Sequence, residues 1–556
     1  MIRLLIRVES LRSNQSFQIQ RRSFSFLSHF FERRCHVKNT EITSKMTEAM
    51  GNYTITKNAP PVSMETFRIN RERLYEKMKS VEPQGFILLK GGEAVNVYNT
   101  DVEYTFKQEP FFHWAFGVRH PSYWGAICLK TNTSYLFMPR LPESYAIWMG
   151  ELLTPEDVKT LYSVNQVYYE DEISTVLTKC NPKKIFLLSG TNTDSDIKMD
   201  APQFENSKKY PTDLTVLYPT MSELRVLKNE HEIELLRQAS MVSSEAHKYV
   251  MRNLPSMVGH FEYQAESIFL HYCYYTGGCR TTAYTCICGS GPNAAVLHYG
   301  HAGAPNDKII NDGEMCLFDM GASYYGYASD ITCSFPVNGK FTEEQKVIYN
   351  AVLNARNKAV EESRPGVQWE KVHLHALRAM FTEMKAHNLL VGDVEEMLDA
   401  ELGSIFMPHG LGHLMGIDVH DVGGYLDDTP PRPTRASLKN LRMNRFLLKN
   451  MVLTIEPGCY FIDVLLEKAK NDEKMAKFIN FNVVNKFKRF GGVRIEDDVL
   501  ITDYGCELLS KVPRTVEEIE AWMNQEEEVK LHFPLPNQRG KKHATPILSP
   551  EVIKGQ

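Results

Sequence analysis

The sequence predicts an α/β (α+β) protein with an N-terminal α/β domain and a C-terminal domain made of two similar halves. Three observations carry this. Strand-like and helix-like runs alternate between residues 58 and 224, the pattern of an α/β domain. A long amphipathic segment, about 228–253, then separates that region from the rest. Beyond it, a helix pair followed by glycine-punctuated, acid-bearing strands occurs twice, the pairs falling at 228–254 with 261–276 and at 343–363 with 369–388.

Each element has its own warrant. In the first domain, 71–79 reads as helix and Gly85-Phe-Ile-Leu-Leu as a buried strand. In the long segment Ile233, Leu236, Ala239, Val242, Ala246 and Val250 recur at spacings of three and four, one helix face, and Pro255 ends it. Thr342 with Gln345 forms a capping box that starts the helix at 343. The expected organisation is an extension at 1–57, an α/β domain at 58–224, a two-halved domain at 225–525 and a tail at 526–556.

Composition narrows the function. The 556 residues are 43% hydrophobic and 24% charged, ordinary globular usage with ample core material. A net charge of -5 gives no basic excess, so nucleic acid is not an expected partner. No run of about 18 apolar residues suggests a membrane span. Eleven cysteines, an odd number scattered along the chain, do not make a disulfide scaffold. Residues 1–45 carry nine Lys or Arg, three Glu and seven Ser, the composition of a mitochondrial transit peptide. The expected location is cytoplasmic, with a mitochondrial form if that segment acts as a signal.

Chemistry first shows at Asp319 and Asp330, each an acid inside an apolar strand. The sequence between them turns at Ser323-Tyr-Tyr-Gly326, so a hairpin would set the two aspartates near opposite each other, about 5 Å apart. Like charges that close need a cation or a proton between them. Pro408-His-Gly-Leu-Gly-His413 and His420 follow, too rich in glycine for a helix. Glu456 and Glu496 again interrupt apolar strands, and Pro457 places Glu456 at a strand end or edge. Four carboxylates and one imidazole suit Mn²⁺, with Zn²⁺, Co²⁺ or Fe²⁺ also compatible. The number of donors fits two metals about 3.5–4 Å apart.

The order Asp319, Asp330, His413, Glu456, Glu496 resembles the ligand set of the pita-bread metallopeptidases, the family of methionine aminopeptidase, aminopeptidase P and the Xaa-Pro dipeptidases. Phe111-Phe-His-Trp-Ala-Phe-Gly, Tyr284-Thr-Cys-Ile-Cys-Gly-Ser-Gly, Val296-Leu-His-Tyr-Gly-His and Phe406-Met-Pro-His-Gly-Leu-Gly-His extend the resemblance across about 58–525. It implies a pseudo-two-fold pita-bread catalytic domain, two Mn²⁺ per subunit and a homodimer. Asp319 and Glu496 would bridge the metals, Asp330 would complete one site, and His413 and Glu456 the other. The implied reaction is hydrolysis of Xaa-Pro dipeptides by a bridging hydroxide, releasing proline. The alternative is aminopeptidase P-like removal of the residue before proline in longer peptides. By the same resemblance, Glu456 shuttles protons, and His409 and His420 stabilise the oxyanion or relay protons. His298, His420, Arg442, Arg494, Tyr284 and Trp114 would contact or orient the substrate, Arg442 by gripping the substrate's carboxylate and Trp114 as a cap from the partner subunit, with a core position the other reading of that tryptophan.

Overall fold

The computed structural model describes residues 61–300 and 306–524, with short stretches between 52 and 59. The expected transit segment and tail lie outside the described residues. The first domain begins with the helix Glu65–Lys79, which buries Phe67, Arg71, Leu74 and Met78 along one side. Its six-stranded mixed sheet runs in the order Thr212–Asp213, Lys184–Leu187, Gly85–Lys90, Trp124–Cys128, Thr133–Met138, Gln166–Tyr169. Successive side chains of a strand point to opposite faces, and here both faces are covered. Phe86 and Leu88 pack into one core with Trp124, Phe137 and Leu177. Ile87 and Leu89 join the large core that continues into the second domain.

The long helix spans Glu230–Asn253. Asn229 caps it by accepting from the N–H groups of His231 and Glu232, and the Glu232 carboxylate returns to the Asn229 N–H. Its partner is Glu262–Tyr275. The second helix pair is Glu343–Glu362 with Trp369–Ala386, and the expected box between Thr342 and Gln345 is in place. All four helices agree with the expected bounds to within two residues.

Each pair backs onto antiparallel strands. The first half supplies a sheet of Ile287–Ser290, Met315–Asp319 and Thr332–Pro336. The second supplies Val452–Ile455, Asp497–Ile501 and Cys506–Leu508, with Gly458–Tyr460 paired to Gly492–Arg494. The halves meet where the Glu496 N–H donates to the Thr332 carbonyl at 3.2 Å.

The aspartate hairpin differs from expectation in register. Asp319 pairs with Thr332, not Asp330, because the two-residue turn is Tyr325-Gly326, one place later than the aspartate pairing requires. Both turn residues have positive φ, 49° and 86°, the backbone of a tight hairpin turn. Moving a turn by one residue moves the ladder by two, so both aspartates keep the same face. The first domain grips this turn. The His113 Nε2 donates to the Tyr325 carbonyl at 2.8 Å, and the Tyr325 hydroxyl donates to the Gly117 carbonyl at 3.0 Å. A side-chain carbon at Gly326 would lie 2.7 Å from the His113 Nε2, so only glycine fits.

Candidate metal centre

Five strand ends and loops converge on one buried point. Asp319 closes its strand, and Asp330 lies just before Thr332–Pro336. His413 belongs to the irregular stretch after Phe406, pinned to Val452–Ile455 by Thr454 N–H to His413 carbonyl at 2.9 Å and Met415 N–H to Val452 carbonyl at 3.0 Å. Glu456 follows that strand directly, as Pro457 implied, and Glu496 sits between Gly492–Arg494 and Asp497–Ile501. Donor atoms fall in three overlapping sets, each within 4.8 Å: Asp319, Asp330 and Glu496; His413, Glu456 and Glu496; Asp330, His413 and His420.

So many acids in one dry place do not all ionise unaided. Burial, then the neighbouring carboxylates, pushes Asp330 and Glu496 well above the ordinary carboxyl range. Burial pushes Glu456 up to about 7, with the adjacent His413 opposing it. The cation built into the cluster is Arg494. It donates to Asp319 Oδ2 at 2.5 Å, to Tyr460 Oη at 2.9 Å and to Thr332 Oγ1 at 3.0 Å. The Thr332 hydroxyl passes the chain on to Glu496 Oε2 at 2.6 Å. Arg494 thus touches one candidate donor, Asp319, and reaches a second, Glu496, through Thr332.

The imidazole is presented for coordination. His413 Nδ1 lies 3.1 Å from the Leu414 carbonyl, which can only accept, so the proton is on Nδ1. Nε2 is left facing the acids, 3.3 Å from Asp330 and 3.5 Å from Glu456. A metal-bound histidine has this tautomer, fixed in this way. The residues therefore fit a metal on their own terms: hard oxygens, one free imidazole lone pair, and a charge excess that needs cations.

The other expected residues divide. His420 packs edge-on to His413 with ring centres 4.6 Å apart, and burial pushes its pKa down to about 2. His409 donates from Nδ1 to the Gly410 carbonyl at 2.7 Å and accepts on Nε2 from the Tyr460 hydroxyl at 2.9 Å. Burial pushes it down to about 3, so it is neutral with both nitrogens engaged. Tyr284 donates to Asp319 Oδ1 at 2.5 Å, which ties its hydroxyl to a ligand carboxylate. His298 is exposed and near enough for its charge to act on His409 and His420. Arg442 is half-buried, with Asp194 of the first domain 3.4 Å away. Trp114 is a correction: at 1% exposure it is core, lying in Pro110–Phe116 with its carbonyl bonded to Asn70, and it can cap neither its own site nor a partner's. That helix buries Phe111 to Phe116 without a break, so its aromatic residues serve packing. A cavity of about 1010 Å³ between the domains opens beside the centre, with His420, Ile417 and Val419 on one wall and Glu109, Asn192 and Ser195 on the other.

Sequence reasoning missed Tyr460, Thr332 and Asp498. Tyr460 lies an even number of residues after Glu456, a same-face signal obscured by Pro457. Thr332 lies two residues after Asp330, the same signal. Asp498 accepts the Asp330 N–H at 3.0 Å and the Ser240 hydroxyl at 2.6 Å, and no local pattern announces that contact.

Comparison with known proteins agrees with this geometry. Residues 234–503 match metallopeptidase family M24, and residues 67–186 match the aminopeptidase P N-terminal domain. The mouse Xaa-Pro dipeptidase is 50% identical over 484 residues, 86% of this chain and 97% of the relative. The chain belongs to metallopeptidase family M24. The human Xaa-Pro dipeptidase is also 50% identical, over 465 residues, 83% of this chain and 94% of its own length. Zinc-substituted E. coli aminopeptidase P, solved with product, superposes on this M24 chain with a TM-score of 0.68 at 29% identity, covering 84% of this chain and 99% of that one. The fold is therefore the aminopeptidase P arrangement, an N-terminal domain followed by a pita-bread catalytic domain, and the protein is a hydrolase of the metallopeptidase class. Among the described residues no helix is long and apolar enough to cross a membrane.

Proposed function

We propose that this metallopeptidase hydrolyses Xaa-Pro dipeptides to a free amino acid and proline at a dinuclear manganese site. The observation that carries the reading is the complete donor set, joined at one buried point by overlapping groups of three whose atoms lie within 4.8 Å of one another, in a chain half identical to mammalian Xaa-Pro dipeptidases. Asp319, Asp330, His413, Glu456 and Glu496 would hold the two ions, the donor sets overlapping at Asp330, His413 and Glu496. When bound, two such cations supply a water ionised near neutral pH and polarise the scissile carbonyl.

The chain's own groups do the rest. Glu456, 3.5 Å from His413 Nε2 within the cluster, takes the proton from the attacking water. It then gives that proton to the prolyl nitrogen, which carries no hydrogen in the substrate and leaves only once protonated. His420, neutral at working pH, donates to the oxygen that gains charge at the attacked carbon. His409 has no N–H to spare and holds Tyr460, with its Nδ1 3.8 Å from Glu456. Arg442 and His298 take the proline carboxylate by a charge-assisted contact; the Arg442 charge acts on both His413 and His420, which supports this placement.

The protein works as a homodimer. Ile147, Trp148 and Met149 stand 79%, 82% and 69% exposed on the short helix Ala146–Met149, an apolar cluster suited to cover by a second copy. Its location is cytoplasmic, with a mitochondrial form if residues 1–45 direct it there. Manganese-dependent hydrolysis of Gly-Pro against Gly-Pro-Xaa tests the function. Clear preference for the tripeptide would instead establish the aminopeptidase P reading, which the E. coli structural likeness keeps in play.

A further inference from the structure

A short hairpin of the first domain reaches the catalytic half. Strands Gly190–Thr191 and Lys198–Met199 pair antiparallel. Asn192 stiffens the loop between them: its Oδ1 accepts from the Asp194 N–H at 2.9 Å and the Ser195 N–H at 3.1 Å. The tip is tied down by Arg432, which donates to the Thr193 carbonyl at 3.0 Å. Asp194 then lies 3.4 Å from Arg442 and 3.8 Å from Arg432, its side chain only 15% exposed. Asn192 and Ser195, on either side of it, line the cavity that reaches His420.

The charges count simply. Two guanidiniums face one carboxylate, so the group carries one surplus positive charge, the complement of one substrate carboxylate. Arg442 has a long, rotamer-rich side chain, and fixing it before the substrate arrives removes an ordering cost from binding. We propose that Asp194 is a positioning residue that holds Arg442 toward the carboxylate of the dipeptide, and so sets the enzyme's demand for a free C-terminus. This rests on the reading of Arg442 as the carboxylate's partner.

The test uses the full-length manganese enzyme with Gly-Pro and Gly-Pro-NH₂, the amide lacking the charged group, and calorimetric binding of proline and prolinamide. Asp194→Asn is expected to raise KM for Gly-Pro by about tenfold with kcat within about twofold, the pattern of lost ground-state binding. Proline binding should weaken in step, while both amides are unaffected. Asp194→Glu, which keeps the charge, should recover most of the loss. Equal effects on acid and amide, or an unchanged or lower KM for Gly-Pro, would overturn the proposal. Arg442→Ala separates the two failures. If it discriminates acid from amide and Asp194→Asn does not, the Asp194 role alone falls. If Arg442→Ala does not discriminate either, the carboxylate reading falls and takes the proposal with it.

Discussion

Replacing Glu456 with Gln should make the metal-free protein more stable at neutral pH while abolishing activity. Burial holds the Glu456 carboxyl at about 7 against its ordinary 4.5. The folded state therefore binds more protons than the unfolded state between those two values, and stability falls as pH rises through that window. Below about 4.5 the carboxyl is protonated in both states and contributes no difference; above about 7 the full penalty is present. A difference of about 2.5 pH units is worth about 3 kcal/mol at 1.36 kcal/mol each. Glutamine keeps the shape and never ionises, so it escapes the penalty. The assay is urea unfolding of chelator-treated wild type and Glu456→Gln at pH 5 and pH 8. Groups far from Glu456 cancel between the two proteins, and Glu496, which the Glu456 charge pushes up, is relieved in the variant in the same direction. The wild type should lose about 2.5 kcal/mol more than the variant between the two pH values, since at pH 5 the unfolded carboxyl is already mostly ionised. Parallel pH dependence would refute the reasoning, because Glu456 would then carry no buried charge strain.

Three further outcomes follow from the geometry. Arg494→Lys keeps the charge but cannot fork to Asp319, Tyr460 and Thr332 at once; metal affinity, measured by chelator competition, should fall about 10–100-fold, and unchanged affinity would show that Arg494 does not orient the ligands. Gly412→Ala would place a carbon 2.0 Å from the Thr454 carbonyl and part the strand contact that seats His413; urea unfolding should register a loss of about 1–3 kcal/mol and metal analysis a reduced load, and a variant with both at wild-type level would contradict this. Trp148→Ser removes an 82% exposed side chain, so folding stability should stay within about 0.5 kcal/mol while sedimentation shifts toward monomer; an intact dimer would place the interface elsewhere.

The helices and all five donor residues were legible because each leaves a local trace. Apolar spacing marked Glu230–Asn253, and a carboxylate inside an apolar strand marked Asp319, Asp330, Glu456 and Glu496. The hairpin register was not legible, since it depends on Tyr325 adopting φ of 49°, a conformation a bulky residue rarely takes. Here the grip of His113 and Gly117 on Tyr325 holds it. Trp114 was open to two readings, a cap and a core residue, and the unbroken apolar run around it is what a buried helix looks like. Asp194 left no trace, because its partner Arg442 is brought to it only by the packing of the two domains.

The clamp on the Tyr325-Gly326 turn has a further consequence. The strands that carry Asp319 and Asp330 are moored at one end by the ligand cluster and at the other by His113, 212 positions earlier in the chain. A change at His113 or Gly117 would therefore loosen the strands that carry two of the candidate donors, though it lies in the domain that supplies none of the donors named above. The same mooring makes the first domain part of the catalytic half's scaffold: a first domain without His113 would leave the Tyr325 carbonyl without that donor and the hairpin turn without its clamp.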